Sequence, residues 1–187
     1  KVMKKEFDDL KEMHEYAWRL IVRGTLDKKS PARHPTLGTI GISGMPELRT
    51  VVLRAANQNE SNLEVHTDVA SKKIEELKWN PNVGIHFWFP SKKLQVRIKA
   101  TSEIKIGNLV KKEWEKIPNI SRISYGTMPT PGTKIQSSFA YEKPANFERF
   151  CIIKININEM DLTHLGARHT RALFAKNNQW CGCWLAP

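Results

Sequence analysis

The sequence is short of the features that most quickly assign a protein to a class. It holds three cysteines, Cys151, Cys181 and Cys183. An odd number cannot make a complete disulfide framework, and the single residue between Cys181 and Cys183 is not the spacing of a two-pair zinc site. They read as reduced thiols, with Cys181 and Cys183 packed on one strand face. No apolar run approaches the roughly 20 residues of a membrane helix, so no membrane partner is expected. The basic, amphipathic first residues lack the apolar core and cleavage site of a secretory signal, which makes the cytoplasm the expected location. HExxH, GxSxG, Walker phosphate-loop and GxGxxG motifs are missing, removing the common hydrolase, NTPase and dinucleotide-fold readings. No catalytic side chain and no metal site can be assigned.

What is present is an ordinary globular composition with a strong basic bias. Of 187 residues, 40% are hydrophobic and 26% charged, consistent with one folded domain spanning 1–187 and large enough for a substantial core. Thirty Lys and Arg against 19 Asp and Glu give +11, which favours an anionic ligand. Nucleic acid is not the expected partner. The excess is scattered over Lys4–Lys5, Lys28–Lys29, Lys92–Lys93 and Lys111–Lys112, with no helix-turn-helix, zinc-finger or aromatic RNA-binding signature among them.

Periodicity orders the chain. Phe7, Leu10, Met13, Ala17, Leu20 and Ile21 recur at three- and four-residue steps, predicting an amphipathic helix that ends near Gly24 and packs on the core. β-rich runs follow at Thr36 to Ile42, Leu48 to Ala56, Leu63 to Thr67, Val83 to Phe89 and Leu94 to Ile106, separated by turn clusters. A short helix is expected over Asn108 to Ile117, then a long functional loop over 118–147 with too many breakers for regular structure. Strands return at Phe150 to Ile157, Asp161 to Leu165, Arg171 to Ala175 and Trp180 to Leu185, the last pair turning at Asn177 and Asn178. The prediction is a mainly β fold with flanking helices, its antiparallel sheet closed or nearly closed. Most of the six tryptophans fall at plausible core positions.

The most informative stretch is RTVVLR, Arg49 to Arg54, followed by HTDVASKKIEEL from His66 to Leu77. A helix N-terminus carries partial positive charge and unpaired N–H groups, so Lys72 and Lys73 in its first turn are unfavourable unless an anion joins them. With a capping oxygen from Ser71 and charge from Arg49, the helix start is suited to phosphate; a capped surface helix with solvated lysines fits the same pattern. In one extended strand Arg49 and Arg54 have opposite parity and serve different ligands or subunits. Gln95 shares a polar strand face with Arg97 and Lys99. Arg168, His169 and Arg171 form a second basic cluster, and Arg122 stands at the start of the long loop, able to close over an anion or to anchor the loop.

Together RTVVLR, the HTD strand end, SKKIEELKWNPNVGIHFWFP, LQVRIKATSE and the final RALFAKNNQWCGCWLAP resemble the pyridoxamine 5′-phosphate oxidase family of FMN-binding split β-barrels. The resemblance implies FMN as cofactor, held at the interface of a homodimer. It assigns the FMN phosphate to Arg49, Ser71, Lys72 and Lys73, and the flavin to Thr50, Val51, Val52, Leu53, Arg54, His66, Thr67, Gln95, Gln136, Ser137 and Arg171. It also implies oxidation of a CH–NH2 donor with oxygen. On the substrate side, for a small phosphorylated or anionic molecule, stand Arg54, Arg122, Arg168 and His169. Here the chain departs from the family: Arg54 replaces a substrate-phosphate Lys, and Arg168 is directly followed by His169 instead of being spaced from it. A non-catalytic flavin- or haem-binding storage protein on the same scaffold is the alternative.

Overall fold

The computed structural model of the chain describes residues 6–187. Helix α1 (Leu10–Leu26) opens where the Asp9 carboxylate accepts the Glu12 N–H at 2.6 Å, an N-cap that satisfies one of the orphan donors of the first turn. Its buried stripe of Met13, Ala17, Trp18 and Ile21 follows the predicted spacing. The helix runs two residues beyond Gly24 because that glycine is a contact point and not a terminator: a Cβ there would come within 2.6 Å of Ala32.

Nine strands, all paired antiparallel, follow among the described residues: β1 (Thr36–Ile40), β2 (Pro46–Thr50), β3 (Leu53–Asn57), β4 (Asn62–Asp68), β5 (Asn82–Phe89), β6 (Leu94–Lys105), β7 (Phe150–Leu165), β8 (His169–Ala175) and β9 (Gly182–Leu185). Between them lie α2 (Lys72–Trp79), α3 (Lys111–Lys116) and α4 (Asn119–Arg122). The strand order is β2-β1-β5-β6-β7-β4-β3, with β8 joining β7 and β9 joining β8. The sheet thus ends on β2 and β3, neighbours in sequence, and is not closed by hydrogen bonds. Strand β7 makes the split. Its first half pairs with β4 and its second with β8, while β6 runs along almost all of it.

Alternation dictates the core. In β5 and β6 every second side chain is buried: Val83, Ile85, Phe87 and Phe89, then Leu94, Val96, Ile98 and Ala100. These join the α1 stripe in one large apolar cluster. Phe87, 1% exposed, would cost about 3–5 kcal/mol if cut to Ala. A smaller cluster of Val110, Tyr125, Phe150 and Ile152, flanked by Trp114, Ile117 and Phe147, lies apart from it.

Several expectations need correction. The predicted strand from Leu48 to Ala56 is two strands, since Val51 and Val52 carry the chain from one end of the sheet to the other. The Val51 N–H is satisfied by Pro35 O at 3.0 Å. The runs at 150–157 and 161–165 are one strand, the extra residue Asn158 being absorbed by a register shift opposite Lys99 and Ala100. The long segment 118–147 holds α4 and a lone bridge between Met128 and Glu142. Of the tryptophans only Trp18 is buried, while Trp79, Trp88 and Trp184 are exposed. Cys181 and Cys183 are exposed and only Cys151 is packed. Both sit at or beside the edge strand β9, which has no strand on its far side to cover them.

Candidate functional site

Two clusters of functional side chains lie at opposite ends of the RTVVLR stretch. The first is built where β2, β1 and β4 meet the start of α2. Arg49 on β2 donates to the Glu76 carboxylate at 2.7 Å, to Glu47 O at 3.2 Å and to the Thr39 hydroxyl. Thr39 in turn donates to the same Glu76 oxygen at 2.6 Å. Glu76 is fully buried, and its Oε1 has no partner. A buried carboxylate is tolerated only when paired, so Arg49 and Glu76 stabilise each other and the guanidinium is fixed in place.

At the helix start the structure departs from the predicted cap. Ser71 occupies the N-cap position, yet its side chain makes no capping hydrogen bond. It lies instead 3.3 Å from the Thr67 hydroxyl. The first-turn N–H groups are therefore left without a side-chain acceptor. Lys72 reaches Glu47 at 3.2 Å on the surface. Lys73 is partly buried and donates to the Thr67 hydroxyl at 3.1 Å; among the described residues it pairs with no carboxylate. Burial, then the neighbouring charge of Arg49, pushes the Lys73 ammonium below its ordinary pKa. The cluster is short of negative charge at the uncapped end of a helix, where an anion is most favourable.

The second cluster surrounds Arg54 on β3. A cavity of about 220 Å3 is lined by Arg54, Glu64, His66, Glu113, Lys116 and Tyr125, among others. His66 packs edge-on to Phe150 with ring centroids 5.0 Å apart. Burial, reinforced by Arg54, lowers its pKa to about 4, so the ring is neutral near pH 7. Tyr125 is buried and its hydroxyl pKa is raised by burial, against an opposing hydrogen bond and charge from Arg54. The separation of Arg49 from Arg54 arises because they stand on different strands, not from parity within one strand.

A third group lies on the polar face of β6, β7 and β8. Gln95, Thr163 and Arg171 are cross-strand neighbours, and Gln95 Oε1 is 3.3 Å from His86 Nε2. Asp161 accepts from Arg171 at 2.8 and 3.1 Å and from Arg97. Burial raises the Asp161 pKa, but the hydrogen bonds and charges of the two arginines outweigh it and hold the carboxyl low.

The remaining candidates are dispersed. Thr50, Val51 and Val52 offer surface, whereas Leu53 is sealed in the core; only its backbone is available, and its carbonyl already takes Arg33 at 3.4 Å. Arg122 anchors its own loop, donating to Asn119, Trp114 O and Glu115 O at 3.0–3.1 Å over the Trp114 ring. Gln136 and Ser137 are exposed in the long segment, and their side chains make no hydrogen bond among the described residues. Arg168 and His169 are exposed at the β7–β8 turn.

Two residues of evident importance were missed. Nothing in SKKIEEL sets Glu76 apart from Glu75; the available signal was that Arg49 would need a counter-charge. Asp68, in the HTD strand end, is a hub. Its carboxylate binds Arg149 at 2.7 and 2.9 Å and accepts the N–H groups of Ala70 at 2.8 Å and Gly126 at 2.9 Å. It thereby ties the long segment to the residues just before α2.

Comparison with known proteins agrees with this architecture. A family model described as pyridoxamine 5′-phosphate oxidase, FMN-binding domain, matches residues 15–105. The pyridoxine/pyridoxamine 5′-phosphate oxidase 2 of Arabidopsis thaliana is 27% identical over 191 residues, covering 91% of this chain and 95% of its own. Among solved structures, a pyridoxamine 5′-phosphate oxidase-related FMN-binding protein of Nostoc punctiforme superposes with a TM-score of 0.75 at 20% identity, covering 92% of this chain and 96% of the other. PhzG of Burkholderia lata, solved in complex with tetrahydrophenazine-1-carboxylic acid, gives 0.75 at 14% identity, covering 98% of each. The fold is that of the FMN-binding split barrels. Over residues 15–105 the chain is similar to the pyridoxamine 5′-phosphate oxidase FMN-binding domain, and over most of its length to the Arabidopsis enzyme.

Proposed function

We propose that this chain is an FMN-binding flavoprotein and an oxidoreductase of the pyridoxamine 5′-phosphate oxidase type, working as a homodimer with the cofactor between subunits. The observation that carries the cofactor reading is the start of α2: an N-terminus without a side-chain cap, beside a partly buried Lys73 whose one hydrogen-bond partner among the described residues is a hydroxyl. The donor set fits a phosphate. Arg49, Lys72 and Lys73 supply three positive charges against Glu47 and Glu76, and the first-turn N–H groups add a partial positive charge.

In this reading Arg49 is a geometric clamp, oriented by Glu76, and Lys73 supplies the uncompensated charge. Gln95 and Arg171 hold the ring from the polar sheet face, with Arg171 kept in orientation by Asp161. FMN bound there would supply the hydride-accepting ring. The side chains around Arg54 bind and orient the substrate, and neutral His66 is available to hydrogen-bond it. The absence of a nucleophile–base pair is compatible with this division of labour.

Mass spectrometry of the small molecule released from purified protein, with the visible spectrum, tests the proposal. FMN at one per chain, bleached on anaerobic addition of an amine donor, is the expected result. A haem band, or failure to take up FMN on reconstitution, contradicts it. A stable flavin that no donor bleaches would leave the storage reading in its place.

A further inference from the structure

The cavity at Arg54 has a charge balance unlike that of the α2 site. Arg54 and Lys116 are offset by Glu64 and Glu113, so its ionised lining sums to zero with His66 neutral. Lys116 is already 2.6 Å from the Glu113 carboxylate. Arg122, the nearest sequence candidate for more positive charge, spends its fork on the acceptors around α3. Arg33 is close enough for Arg54 to lower its pKa after burial has done so, yet it donates to the carbonyls of Gly24, Thr25 and Leu53. Among the described residues Arg54 pairs with no carboxylate, and beside it stands the Tyr125 hydroxyl.

A phosphate monoester brings close to two negative charges, and with Lys116 and Glu113 paired this lining offers one unpaired cation, Arg54, beside one unpaired carboxylate, Glu64. Coulomb repulsion from Glu64 would oppose the second charge. One carboxylate, by contrast, matches a single guanidinium fork. Glu64, whose carboxylate makes no ion pair among the described residues, then becomes the acceptor for a donor at the ligand's other end. An engineered cavity of ~150 Å3 accommodates benzene, so about 220 Å3 suits one substituted ring.

We propose that this cavity binds a one-ring carboxylate bearing an amine or similar donor group in preference to a phosphate monoester, its carboxylate on Arg54 and its donor toward Glu64. As a statement about substrate, this rests on the oxidoreductase reading above; as a statement about binding, it stands alone.

Calorimetric titration of the purified protein, with whatever cofactor it carries, by 3-aminobenzoate and by phenyl phosphate tests it. The aminobenzoate should bind at least about tenfold more tightly, a difference near 1.4 kcal/mol. Arg54→Gln should abolish that binding, and Glu64→Gln should narrow the preference by strengthening phenyl phosphate. A ratio below tenfold, no aminobenzoate binding, or binding indifferent to Arg54→Gln overturns the proposal. Aminobenzoate binding to a protein that never takes up FMN would sink the cofactor reading and leave this one standing; a flavin-loaded protein that ignores aminobenzoate would do the reverse.

Discussion

Replacing Asp68 with Asn should destabilise the protein far more than its single lost charge suggests. The Asp68 side chain is 6% exposed and that of Arg149 is 14% exposed, with contacts of 2.7 and 2.9 Å. Asn keeps the volume and one acceptor, but it faces the guanidinium with an amide and leaves a buried cation unpaired. Breaking such a pair costs about 3–5 kcal/mol. The lower end applies, because Arg149 retains a bond to Thr127 O at 3.3 Å. For a chain of this size ~3 kcal/mol corresponds to roughly 6–12 °C in Tm. Urea and thermal unfolding of Asp68→Asn should be compared with Lys99→Gln, which breaks the exposed pair with Glu159 and should cost less than about 1 kcal/mol. If the two variants lose equal stability, Asp68 is not the hub described here.

Acid should weaken the fold above the carboxylate range. The His66 pKa is about 4 when folded against a model value of 6.5. The unfolded chain therefore binds the extra proton first, and stability falls with pH from about 6.5 to about 4, by up to ~3 kcal/mol. His14 and His164 shift the same way, chiefly through burial. In His66→Gln the slope of unfolding free energy against pH should flatten in that window; an unchanged slope refutes the assignment. Thiol titration of the native protein should count two groups, Cys181 and Cys183, because Cys151 is fully buried and burial pushes its pKa up to about 12; three fast thiols would contradict this packing. Arg122→Ala should cost about 1–3 kcal/mol in unfolding through loss of its carbonyl bonds while leaving bound FMN unchanged. FMN loss without destabilisation would return Arg122 to a ligand-binding role.

The architecture was readable where side-chain alternation is strict, as in β5 and β6. It was misread where the chain crosses without losing strand-like composition. Val51 and Val52 are β-branched and apolar, so nothing local marks them as the crossing between sheet ends. Asn158 likewise hides a bulge within one strand. For the site, the clash of Lys72 and Lys73 with a helix N-terminus was visible in sequence because it is local. The counter-charges were not, since Glu76 meets Arg49 across 27 positions and Asp68 meets Arg149 across 81. Ser71 kept its N-cap position but turned its hydroxyl to Thr67, a choice set by a neighbouring strand that local propensity does not describe.

In the proposed site Arg49, Lys73 and the start of α2 hold the phosphate of FMN. The most direct test is a fluorescence titration of apoprotein with FMN and with riboflavin, for the parent and for Arg49→Ala with Lys73→Ala. Two charge-assisted hydrogen bonds at about 1.5–3 kcal/mol each predict that the FMN Kd rises roughly 10²- to 10⁴-fold, with riboflavin affinity unchanged because it has no phosphate to lose. An FMN Kd that stays put, or a riboflavin Kd that rises in step with it, would contradict the account.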